Sequence, residues 1–123
     1  MRLSSAAFRQ LVAEAVDDLP DWVQHHMDNV AILVEPWPST GQMSTPGIRR
    51  TGLLLGLYEG VPLTKRGQGY GLTPPDRITL FQGPLELCAG DLEALAQLIR
   101  RTIVHEVAHH FGFSEARIRE LGY

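Results

Sequence analysis

From Leu92 to Phe111 the chain contains neither proline nor glycine, and Gly112 follows at once. At 3.6 residues per turn, Leu92, Leu95, Ile99 and Ile103 fall on one apolar stripe, with Gln97, Arg100 and Arg101 on the other side. Past Ile103 the pattern widens, and Val104, Val107, Ala108 and Phe111 cover the back. Asp91 is a good N-cap, Glu93 suits the positive end of the helix dipole, and Gly112 stands where a terminating glycine belongs. A helix that is half wet at its start and apolar all round at its end has its second half inside the molecule. The rest of the chain must therefore pack around this segment.

That remainder reads as helix, then sheet. Phe8, Leu11, Val12, Ala15, Val16 and Leu19 recur at helical spacing over Ser4 to Leu19, with Ser4 or Ser5 to cap the start and Pro20 to end it. Asn29 to Glu35 is short, β-branched and bounded by Pro36 and Pro38, which predicts a strand. Pro36 to Arg50 reads as a long polar loop. A second strand is expected over Gly52 to Tyr58, with a turn at Glu59-Gly60. Lys65 to Pro75 is glycine-rich. Arg77 to Phe81 alternates polar and apolar residues, as a strand with one wet face does. With 123 residues and no internal repeat or linker, one domain over 1–123 is expected.

Composition narrows the partners. Charged residues make up 20% and hydrophobic ones 44%, an ordinary globular balance, and the net charge of −3 offers no basic field for nucleic acid or an anionic membrane. No apolar run approaches the ~20 residues that span a bilayer. Arg9, Gln10 and Glu14 interrupt any secretory apolar core near the start. The single cysteine, Cys88, forms no internal disulfide and suits a reducing compartment, so a cytoplasmic location is expected. The oligomeric state is not legible.

The chemistry lies in His105 to Glu115, HEVAHHFGFSE. His105 and His109 are four apart, so one strip of the helix presents both imidazoles to a single Zn²⁺, while the intervening Glu106 is placed for the metal-bound water. The competing reading, a surface pair of histidines, fits poorly with a helix buried at that point. Gly112 takes φ > 0 cheaply and turns the chain back, which makes Glu115 the candidate third ligand. Glu115 reads equally as the first residue of a short helix capped by Ser114 and running to Leu121. Metzincin-type peptidases carry His at that position and a downstream Met turn; the eight residues after Glu115 contain no Met.

Other residues weigh less. His110 lies on a different face from its neighbours and reads as a core histidine or one that supports a ligand. His25 and His26 read as exposed bystanders. Cys88 reads as a small buried hydrophobe; a deformylase-like ligand role is the alternative, but the companion motifs of such sites are absent. Tyr70, in the glycine-rich stretch, is a candidate donor to an oxyanion.

The HEVAHHFG stretch, preceded by LLGLYEGVPLTKRG and PDRITLF and by AVDDLPDW and ILVEPWP further upstream, resembles the small bacterial minimal-zincin family of zinc metallopeptidases. The resemblance covers most of the chain. It implies an α+β, zincin-like fold, a small mixed or antiparallel sheet packed against a central active-site helix with an N-terminal helix beside it. It implies one Zn²⁺ per chain on His105 and His109, and an acidic residue, often Asp, where this chain has Glu115. The expected activity is zinc-dependent peptide hydrolysis with Glu106 as general base, on a peptide or protein held in extended conformation, with Arg77 to Phe81 as the candidate edge strand. Two other classes stay open: a zinc-dependent endoribonuclease of the rRNA-maturation type, which normally uses three His, and a metal-stabilised interaction module without turnover.

Overall fold

The computed structural model describes residues 2–60 and 75–123. Helix α1 (Ser5–Asp17) begins where Ser4 Oγ accepts the Ala7 amide, so Ser4 is the cap. A short α2 (Asp21–His26) starts directly after Pro20. Strand β1 (Val30–Glu35) follows, as the β-branched run predicts. The expected loop from Pro36 to Arg50 is not structureless: it holds α3 (Thr40–Met43), closed by a Ser39/Gln42 capping box, and strand β2 (Ile48–Arg50). Strands β3 (Leu53–Glu59) and β4 (Asp76–Phe81) match the expected segments to within a residue. The chain then runs through α4 (Gln82–Leu87), the long α5 (Leu92–His110) and α6 (Glu115–Glu120). Tyr70 and most of the glycine-rich stretch lie outside the described residues.

The sheet is mixed, in the order β1-β4-β3-β2. β4 runs parallel to β1 and antiparallel to β3, and β2 is antiparallel to β3. This corrects the expectation that Arg77 to Phe81 is an edge. β4 is bonded on both sides, and Ile78 through Phe81 are all buried, including Thr79 at 1% exposure. A polar threonine inside the sheet imitated the alternation of a half-wet strand. Among the described residues, β1 and β2 are the edges.

Helix α5 packs against β3 and β4 as well as α1, α2 and α4. Phe8, Val12 and Ala15 of α1 join Leu95, Ile99, Ile103 and Val107 of α5 in the main core with Ile78 and Leu80 of β4. Burial along α5 begins at Leu95 and is densest from Thr102 to Ala108, where every residue but His105 is buried. The second half of the helix is thus enclosed up to its exposed last residues, His109 and His110. Leu92 at the start and Phe111 just past the end are 52% and 43% exposed. Contact between sheet and helix is close at one crossing. A Cβ on Gly56 would stand 2.6 Å from Thr102 Cγ2, so the absence of a side chain lets β3 lie against α5. That crossing brings the β2–β3 end of the sheet to the face of α5 that carries the histidines.

Candidate metal centre

Two successive helix stops build the C-terminal side of the site. At the end of α5, the Phe113 amide donates to Ala108 O at 2.8 Å and the Gly112 amide to His109 O at 3.1 Å, with Gly112 at φ +86°. These two bonds are the Schellman pattern, which satisfies the last carbonyls of the helix and reverses the chain. Ser114 Oγ then accepts the Arg117 amide and starts α6 with Glu115 as its first residue. Glu115 begins a helix, as one reading expected, and its side chain also faces the histidines, the position that the ligand reading requires. At the far end of α6 the same pattern recurs, with Gly122 at φ +95° and the Tyr123 amide donating to Ile118 O at 3.1 Å. This second turn carries the Tyr123 main-chain oxygen to 3.0 Å from His105 Nε2.

His105, His109 and Glu115 offer ligand atoms that all lie within 4.8 Å of one another. His109 Nε2 is 2.6 Å from Glu115 Oε1, and His105 Nδ1 is 3.9 Å from the same oxygen. Bonds of 2.0–2.2 Å to a tetrahedral zinc imply ligand atoms about 3.4 Å apart, between those two spacings. Two imidazole nitrogens and one carboxylate oxygen make the three-ligand set of a catalytic-type zinc site, and the residues present fit the ion. The nitrogen of His105 nearer Glu115 is Nδ1. Its Nε2 faces the Tyr123 oxygen, the kind of outer hydrogen bond that fixes a liganding histidine's tautomer and orientation.

Glu106 is in another environment. It is 6% exposed, and both carboxylate oxygens accept main-chain amides from the sheet: Ile48 N–H donates to Oε1 at 2.9 Å and Tyr58 N–H to Oε2 at 3.2 Å. Burial pushes its pKa above the ordinary carboxyl value; the two amides and the nearby His109 pull it back only in part. Gly47 belongs to the same packing, since a Cβ there would meet Gly56 O at 2.6 Å and Glu106 Oε1 at 3.4 Å.

The remaining candidates separate cleanly. His110 is not a core residue: it is 37% exposed, its ring stacks on Tyr58 with centroids 3.8 Å apart, and its Nε2 is 3.8 Å from Asp76 Oδ2. His25 is exposed, while His26 is half-buried, its ring 4.5 Å from that of Phe111. Cys88 is half-buried against the core and is not one of the three convergent residues. Sequence reasoning missed the amides of Ile48 and Tyr58 and the oxygen of Tyr123. Main-chain groups carry no residue signature, and the helix stop at Gly122 was the one available hint.

A family profile described as zincin-like metallopeptidase matches residues 27–123. No protein of curated function matches the sequence. Among solved structures, the chain is similar to a conserved hypothetical protein from Thermus thermophilus, with 20% identity and a TM-score of 0.52, over 88% of this chain and 94% of that one. At that identity the likeness speaks to the fold.

Proposed function

Since the chain belongs to the zincin-like metallopeptidase family, we propose that it is a zinc-dependent peptidase that cleaves an extended peptide. In this reading His105, His109 and Glu115 hold the metal and Glu106 is the general base. The observation that carries it is the convergence of those three ligand groups at the end of the helix that also bears a buried carboxyl of raised pKa.

Bound zinc would supply an acidified water and a polarised carbonyl. The chain's own residues do the rest. Glu106 takes up the proton and delivers it to the leaving amine, a task that favours a carboxyl pKa moved toward neutrality. The amides of Ile48 and Tyr58 fix its orientation while leaving lone pairs for the proton. Tyr123 O keeps His105 in one tautomer. With β4 interior, the strand suited to pairing with substrate is β2, an edge strand among the described residues, whose Ile48, Arg49 and Arg50 line the groove beside His105 and Glu115.

A non-catalytic, metal-stabilised module is the second reading, and one observation favours it. Both oxygens of Glu106 already serve the sheet, which is an adequate structural reason for a carboxylate there. The test compares zinc-loaded wild type with Glu106→Gln on unstructured proteins and peptide pools, after elemental analysis has established about one zinc per chain. Hydrolysis should fall on the order of 10²-fold or more in the variant. Equal rates would indicate a contaminating protease, and no cleavage by either protein at full zinc occupancy would favour the module. A folded protein that retains no zinc would remove the metal reading. RNA cut equally by both variants would bring forward the ribonuclease.

A further inference from the structure

The groove beside the metal ligands is basic in a chain that is acidic overall. Its volume is about 300 Å³, and Arg49, Arg50 and Arg101 line it together with a single carboxylate, Glu115. The net charge of the whole chain is −3. Arg49 is pinned by donating to the carbonyls of Met43 at 2.6 Å and Thr45 at 2.9 Å, contacts that fix the guanidinium without neutralising it. Arg101 has a long bond, 3.4 Å, to the Tyr123 main-chain oxygen. Among the described residues, no side-chain carboxylate lies within ion-pair distance of any of the three. Glu115 is instead turned toward the histidines. Arg50, from β2, and Arg101, from α5, are both exposed and line the groove.

Resting on the peptidase reading, we propose that this groove selects peptides bearing a carboxylate near the scissile bond, bound by Arg50 and Arg101. The arginine fork matches a carboxylate in two-pronged geometry. Arg101 precedes His105 by one helical turn, about 6 Å. An extended peptide advances about 3.3 Å per residue, so the recognised carboxylate lies within a few residues of the bond that is cut. It comes either from an Asp or Glu side chain or from the end of the peptide.

Fluorescence anisotropy on the full chain tests this, with one equivalent of zinc and again after chelation. The probes are decapeptides with an uncharged dye: one with central Glu residues and an amidated end, its Gln and Lys counterparts, and the Gln peptide with a free terminal carboxylate. The Glu peptide or the free-carboxylate peptide should bind on the order of tenfold more tightly than the amidated Gln peptide at low ionic strength. The one that does identifies the source. The preference should shrink at high salt and vanish in the Arg50→Gln/Arg101→Gln double variant, while Arg9→Gln, on α1, retains it. Equal binding of all peptides, or a preference that survives the double substitution in a folded protein, overturns the proposal. Tighter binding of a single-stranded RNA decamer than of any peptide does so too, in favour of a nucleic-acid groove. Peptide preference without turnover in the zinc-loaded chain would remove the peptidase reading alone. Turnover without preference would remove only this one.

Discussion

The two carboxylates assigned to the proposed site have opposite surroundings. Glu115 sits in the C-terminal turn, its side chain 51% exposed, and reaches His109 across six residues of sequence. Glu106 is 6% exposed and is held by amides 58 and 48 residues away, in β2 and β3. The first is placed by a local device, a glycine stop followed by a serine cap. The second depends on the whole sheet being packed against α5. In the proposed reading these halves have separate jobs: the turn would govern whether metal is held, and the sheet the state of the base.

The sharpest way to break that division is to remove Glu115. Competitive chelator titration of Glu115→Ala should show zinc affinity lowered by about 10²-fold or more, beyond the 10–100-fold typical of losing an outer hydrogen-bond partner. Cys88→Ala should leave affinity within about twofold of wild type. A damaging Cys88 change would mean that a different ligand set holds the metal.

Next in size is the turn itself. Gly112→Ala introduces a Cβ at φ +86° with nothing within 4 Å of it, so its cost is conformational rather than steric. Denaturant unfolding of the metal-free protein should show a loss of about 1–2 kcal/mol, and zinc affinity should fall with it. An unchanged affinity would show that Glu115 reaches the site without the turn.

The pH dependence of stability tests the sheet half. Glu106 has a raised pKa in the folded chain, so its contribution to stability is fully present below the unfolded value near 4.5 and is lost as pH rises through the folded pKa. In the metal-free protein, the stability of wild type relative to Glu106→Gln should therefore be greater in acid than at neutral pH. Glutamine adds a second consequence: its single oxygen can serve only one of the two amides, which leaves the other facing an NH₂ group. An unpaired buried amide costs about 1–3 kcal/mol, so the variant is not silent toward folding. Unfolding midpoints measured from pH 4 to 8 check both statements, and a difference independent of pH would contradict the burial-driven shift.

Helix α5, its Asp91 cap, its Gly112 stop and the strip shared by His105 and His109 were legible from residue spacing alone. The reason is that helical periodicity, capping and chain reversal act over a few residues, which a sequence displays directly. Glu115 was legible in the same way, because it lies one turn beyond the stop. What only the tertiary structure decided is everything that crosses the molecule: β4 placed between β1 and β3, the short edge strand β2 inside an apparent loop, and His110 turned to Tyr58 rather than to the core. The amides that hold Glu106 and the arginine-lined groove belong there too. Strand pairing and carboxylate capture use main-chain N–H and C=O groups that nearly every residue carries, so their partners are chosen by packing, and no residue letter records the choice.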